Sequence, residues 1–392
     1  MKKFSLPNGF LSAGLFCGIK QSKKKDLGII YSEVPCSVAG VFTTNSVKAH
    51  CVIDNQSVIK SGNSIKAVIV NSGNANACTG EAGLDSLREI KKSLAELFSI
   101  DINSILTAST GIIGIPLPKE PVINSLTALH NQLSNNYKDF AEAILTTDLD
   151  IKFSEKQIGN KSKIIGVTKG SGMINPQMAT TLTFIVTDLK IDSKELQNSL
   201  DIANAKSFNQ ITVDGDTSTN DMILVLANGA SGEKVGKEIS HEDFHAALTE
   251  INVDLAKQVV IDGEGATKIF EIQIKGSSTE EDARIMAKGV ANSLLVKTAI
   301  FGNDPNWGRF LAAAGQYGQV DMEKARLKIF DTVLLDAGKV CEYDKPALSA
   351  QMKESKEIKV ELIVGEKIQN LGLAWGCDLS YEYVRINAEY TT

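Results

Sequence analysis

The chain has 392 residues, of which 43% are hydrophobic and 22% charged, with a formal net charge of −6. That length has room for one large core or two to three smaller ones, and the mild acidity gives no basic face for nucleic acid. Lys23-Lys24-Lys25 is the one basic cluster and reads as a solvated loop. No run approaches the roughly 20 apolar residues of a membrane span, and residues 1–9 hold no stretch long enough for a secretory signal. Cys17, Cys36, Cys51, Cys78, Cys341 and Cys377 are scattered without a Cys-x-x-Cys pair. Free thiols and a cytoplasmic protein are expected.

In chain order, residues 66–70 predict a buried strand that runs into an Asn/Gly loop, and 85–98 predict an amphipathic helix. The β-branched run 181–187 predicts a strand, and 196–207 and 241–259 predict helices. Residues 268–275 and 357–364 alternate as half-buried strands do. A helix is predicted over 280–295, capped by Ser278 or Thr279 and opened by two glutamates. Neither an internal repeat nor a low-complexity linker interrupts this mixture. A mixed α/β fold with helices covering stacked β-sheets fits this pattern.

The most informative segment is Lys169-Gly170-Ser171-Gly172-Met173-Ile174-Asn175-Pro176-Gln177-Met178-Ala179-Thr180-Thr181. A loop punctuated by glycine and proline delivers a small residue, then a threonine, onto an apolar strand. One reading is an ordinary turn before a strand. The other is a chain that cuts itself before Thr180. A threonine hydroxyl is a weak nucleophile unless a base takes its proton, and a free α-amino group beside it can be that base. Its pKa of about 7.7–8.0 suits a general base at neutral pH. Gly170 and Gly172 allow backbone angles that a β-carbon forbids, and Ala179 leaves the attacked carbonyl uncrowded.

This segment resembles the processing site of the ornithine acetyltransferase family, the bifunctional glutamate N-acetyltransferases of arginine biosynthesis. The resemblance extends over nearly the whole chain, in family order. It includes Gly40-Val41-Phe42-Thr43-Thr44-Asn45, the block from Val70 to Gly80, Ser109-Thr110-Gly111-Ile112-Ile113-Gly114 and the block from Ile211 to Asp221. Asp304-Pro305-Asn306-Trp307-Gly308-Arg309 and the closing Arg385-Ile386-Asn387-Ala388-Glu389-Tyr390-Thr391-Thr392 complete it. What the resemblance implies is an α/β sandwich, with the strand from Thr180 to Asp188 inside the fold, in a self-processed architecture like that of N-terminal-nucleophile enzymes. An α piece, residues 1–179, and a β piece, residues 180–392, would form one intertwined unit.

The implied roles follow residue by residue. Thr180 is the nucleophile, with cleavage between Ala179 and Thr180. Thr110 with Gly111 forms the oxyanion hole. Thr146, Lys169, Thr180, Glu264, Asn387 and Thr392 bind substrate, with Thr146 chosen over Thr147 on spacing to Lys169. The implied reaction moves acetyl from N2-acetyl-L-ornithine to L-glutamate by a ping-pong route through an acetyl-threonine ester. No metal or bound organic cofactor is expected; acetyl-CoA is a further possible donor. Two copies of each piece would assemble, with neither nucleic acid nor membrane as partner.

Other patterns yield little. Asp214-Gly215-Asp216 begins like a calcium loop, but its sixth position is Thr219 and its twelfth Val225, so a polar turn near the site is expected. His241 and His245 stand one helical turn apart without a third ligand and read as a surface helix. Gly170-Ser171-Gly172 has Asn175 where a dinucleotide loop needs its third glycine. Asp304 and Arg309 read as structural or as shaping the processing region. The rival functions are a self-processed aminopeptidase or amidase of related fold, and an uncut binding protein.

Overall fold

The computed structural model describes residues 4–175 and 181–389. Two sheets carry the architecture, both threaded by strands distant in sequence. In chain order the strands are β1 (Phe10–Leu15), β2 (Leu27–Phe42), β3 (Ile65–Asn74), β4 (Ile105–Ile112), β5 (Lys152–Ile158), β6 (Ser162–Lys169), β7 (Leu182–Thr187) and β8 (Ile211–Thr212). They continue with β9 (Met222–Ala227), β10 (Ile269–Gly276), β11 (Arg326–Ile329), β12 (Thr332–Asp336), β13 (Lys339–Val340), β14 (Glu357–Ile363) and β15 (Lys367–Cys377). The first sheet runs β4-β3-β2-β9-β7-β6-β5, with β1 added to β2. The second runs β13-β12-β11-β14-β10-β15-β8.

Strand β7 lies inside the first sheet, parallel to β9 and antiparallel to β6. All its residues are buried, as are all those of β9. Strand β9 reads as a continuous apolar run, and β7 as one broken only by Thr183 and Thr187, because both faces are covered. On one face, Phe184 and Val186 pack with Phe140, Tyr137 and residues of β2 and β3. On the other, Ile185 meets Leu196, Leu200, Phe244 and Leu255 from the helices Ser193–Ala205 and His241–Ile261. That second cluster also takes in Trp375, Cys377 and Ile211 from the second sheet. The two helices are therefore a filling between sheets, and the layered α/β expectation holds.

The predicted elements are found with shifted ends. The strand predicted at 66–70 extends over Ile65–Asn74, and the helix at 85–98 starts earlier, at Gly80. The single helix predicted over 280–295 is two, Glu280–Asn292 and Leu294–Phe301. Ser293 separates them at φ −67°, ψ 119°, and its side chain caps the second helix at Val296 N–H. A serine hydroxyl competes for backbone partners, which favours a cap over a helix interior. The expected cap at Thr279 is present, accepting from Asp282 N–H.

All six cysteines are free, and burial pushes the Cys36 and Cys51 thiols up to about 12. Lys25 pairs with Asp139 and Glu142, while Lys23 and Lys24 are exposed. His241 and His245 both contact one Glu195 oxygen at 2.9 Å. Among the described residues, no group of three or more His, Cys, Asp or Glu side chains could hold a metal ion. No described helix is long and apolar enough to cross a membrane.

Candidate active site

A cavity of about 360 Å³ opens beside the leading end of β7 and collects residues from across the chain. Thr110, Gly111, Thr146, Thr147, Lys169 and Glu264 line it, with Asn387 from the last described helix, Tyr381–Glu389. Every expected site residue in the described part of the chain is there. Ala179, Thr180 and Thr392 lie outside the described residues.

Thr110 and Gly111 lie near the end of β4, just before its last residue Ile112, where it runs parallel to β3 with Ser72 opposite Thr110 and Gly73 opposite Gly111. Gly111 has φ +130°, and a β-carbon there would stand 2.3 Å from the Gly73 carbonyl carbon. Only glycine fits so close an approach of two backbones. The Asn220 side chain fixes this corner by donating to the carbonyls of Ala75 (2.6 Å) and Ser109 (2.8 Å). The hydroxyl and glycine backbone together offer the kind of preset donors that a tetrahedral oxyanion needs.

Lys169 ends β6 opposite Leu182 of β7. Burial lowers its pKa, against the carboxylates of Asp148, Asp221 and Glu264, which favour the charged form. Beyond it, Gly170 turns at φ +151° and its N–H donates to Asp148 Oδ1 at 2.7 Å. Glu264 comes close because residue 172 is glycine: a β-carbon there would sit 2.3 Å from Glu264 Oε2. Glu264 N–H bonds Ser171 O at 2.9 Å, and Asn387 Nδ2 donates to Glu264 Oε2 at 2.9 Å. A cation, a carboxylate and an amide thus converge on one space, as recognition of a charged amino-acid ligand requires.

Thr146 and Thr147 both border the cavity. Thr146 N–H donates to Asp148 Oδ2 at 2.9 Å, whereas the Thr147 hydroxyl pairs with that of Ser171 at 2.6 Å. The Asp214 carboxylate accepts from the N–H groups of Met173 (2.6 Å) and Ile174 (2.8 Å). The Asp214 segment is therefore the polar turn expected, braced against the loop that leads to residue 175. Asp304 holds Lys345 and Asn306, and Arg309 reaches Leu295 O and Thr298, so both serve the helix corner at 295–309.

Sequence reasoning missed a buried support. Lys152 Nζ lies 2.6 Å from Asp148 and 2.5 Å from Asp262. Burial alone would raise the Asp148 pKa, but Lys152 and Lys169 bring it down to about 2. Asp148 so joins Thr146, Lys152 and Gly170 at one carboxylate. Asp221 was also missed as a site residue. Burial pushes its carboxyl up to about 8 although Lys169 opposes the shift. The only hint in the sequence was that Asp148 and Asp221 close two of the motif blocks.

The model of the ArgJ family matches residues 11–392. An arginine biosynthesis bifunctional protein ArgJ from Gloeobacter violaceus is 46% identical over 392 residues, covering 98% of this chain and 96% of its own. The ArgJ of Listeria monocytogenes is 44% identical over 396 residues, with 98% of each chain covered. A crystal structure of ArgJ from Bacillus halodurans is 40% identical, with a TM-score of 0.49, over 52% of this chain and 96% of that one. On the match to the family model and to these full-length relatives, the chain belongs to the ArgJ family.

Proposed function

We propose that this protein is a self-cleaving acetyltransferase of arginine biosynthesis. It moves acetyl from N2-acetyl-L-ornithine to L-glutamate through an ester on Thr180. Cleavage between Ala179 and Thr180 frees an α-amine, which then takes the Thr180 hydroxyl proton. Thr180 Oγ attacks the acetyl carbonyl and ornithine leaves; the glutamate amine next attacks the ester and regenerates the hydroxyl. Thr110 with Gly111 receives the oxyanion in both halves. Lys169 pairs with the substrate α-carboxylate, Glu264 with the ornithine side-chain ammonium, and Thr146, Asn387 and Thr392 complete the pocket. No metal or bound organic cofactor is invoked, and acetyl-CoA is a second candidate donor.

The observation that carries this reading is the single cavity joining Thr110, Gly111, Thr146, Lys169, Glu264 and Asn387 at the leading end of β7. These residues are up to 277 positions apart (387 − 110), and separate structural roles would not bring them together. Membership of a family of arginine-biosynthesis proteins favours transfer to an amine over amidase hydrolysis. The pieces 1–179 and 180–392 are proposed to stay together as two copies of each, in the cytoplasm. The test is an assay of purified protein with acetylornithine plus glutamate, beside acetyl-CoA plus glutamate and acetylornithine alone. Glutamate-dependent release of ornithine is expected; release at the same rate without glutamate would make the protein a hydrolase.

A further inference from the structure

The proposed reaction leaves one proton without a carrier. Before the chain is cut, the Thr180 nitrogen is an amide, so the amine that serves acetyl transfer does not yet exist. Cleavage still needs a group to take the hydroxyl proton and a group to protonate the departing nitrogen.

We propose that Asp221 carries that proton. Its carboxylate takes the Thr180 Oγ proton as this oxygen bonds to the Ala179 carbonyl carbon. It returns the proton to the Thr180 nitrogen as the Ala179–Thr180 C–N bond breaks. Water then adds its hydroxyl to the ester carbon and gives its proton to Oγ, leaving an Ala179 carboxyl and a Thr180 amine. The inference rests on the self-cleaving reading above.

Position supports it. Met222 N–H donates to Thr181 O at 2.9 Å, and β9 runs parallel to β7, so Asp221 stands level with Thr181. Thr181 is bonded to Thr180, and consecutive Cα atoms are about 3.8 Å apart. Chemistry supports it too, because three other carboxylates nearby are engaged and a fourth, Asp216, is exposed. Asp214 caps Met173 and Ile174, Glu264 accepts from Asn387, and Asp148 holds Lys152 and Gly170. Asp221 Oδ2 is sealed from solvent with no hydrogen-bond partner among the described residues. An unsatisfied buried oxygen is costly and calls for an explanation in function. Ser218 lies against the carboxylate from its own loop. Lys169 faces it from β6, and Asp214, Asp216, Glu264 and Tyr383 line the same cavity. With its pKa near 8, both the accepting and the donating form are populated around neutrality.

Cleavage is followed on a denaturing gel after pulsed cell-free synthesis and a chase at pH 6 to 9, for the natural chain, D221N and D221E. The natural chain is expected to cut faster as pH rises to about 8 and then level off. D221N should cut at least about 100-fold more slowly and lose that limb, general acid–base groups supplying about 10²–10⁴ in rate. D221E should regain part of the rate together with a pH limb. Circular dichroism melts check that the variants fold; if D221N does not, D221E decides, and its cleavage without a limb overturns the proposal. Natural-rate cleavage of D221N with the limb intact also overturns it. A natural chain that never cuts refutes the self-cleaving reading instead.

Discussion

The corner at Thr110 and Gly111 separates two kinds of residue requirement. Thr110 can lose its hydroxyl without disturbing the strand pairing around it, because the β3–β4 register is held by backbone bonds. Thr110→Ala is therefore expected to fold and to slow both cleavage and acetyl transfer by about 10²–10³, the usual effect of removing one oxyanion donor. Unchanged rates in both assays would remove Thr110 from the oxyanion hole. Gly111→Ala is different. Its β-carbon meets the backbone of Gly73 and Asn74 at 2.3 and 2.5 Å, and no rotamer relieves a backbone clash. It should lower the thermal midpoint as well as the activity; a variant as stable as the natural chain would show that the two strands can part. That Thr110, Gly111, Lys169 and Glu264 would border one cavity was legible because each sits in a compact motif. Asp221 was readable only as part of a motif, since the burial of its carboxylate is a property of packing.

At the scale of elements, the carboxylate of Asp148 ties the turn after the helix Lys138–Ala143 to β5 and to the loop beyond β6. Asp148→Asn keeps the shape but leaves Lys152 with Asp262 alone. Removing one partner of a buried pair costs about 3–5 kcal/mol, and the remaining Asp262 makes that an upper bound. Urea denaturation should show a lower midpoint with an unchanged slope. The sign with pH follows from a folded pKa of about 2, below the unfolded value of about 3.9. The stabilisation is whole above about 4 and is lost as pH falls through 2, so natural and variant stabilities should converge in acid. A constant gap down to pH 2 would contradict this role. Elements with one clear period, such as β14 and the helix His241–Ile261, were legible in the sequence. The break at Ser293 was not, because apolar spacing continues across it. The Asp148–Lys152–Asp262 cluster was not either, since 110 residues separate Lys152 from Asp262 and only folding joins them.

At the scale of the whole molecule, the proposed cut falls between two strands that pair in one sheet, β6 and β7. Strands β1–β6 precede it, while β7 and β9 follow it and pair with β6 and β2. Alternating apolar and amphipathic stretches revealed the layered class, but not that β9 would enter the middle of a sheet begun near residue 10. Separation of the pieces would expose the buried faces of β7 and β9, so they should co-elute on size exclusion under native conditions. Two separate peaks would contradict an intertwined unit. The central claim is that one peptide bond breaks to make the catalyst, and intact-mass spectrometry of the purified protein tests it most directly. Two masses are expected, residues 1–179 and a fragment starting at Thr180, with a single uncut mass for Thr180→Ala. A natural protein that is fully active while only the 42.2 kDa chain is present would contradict it.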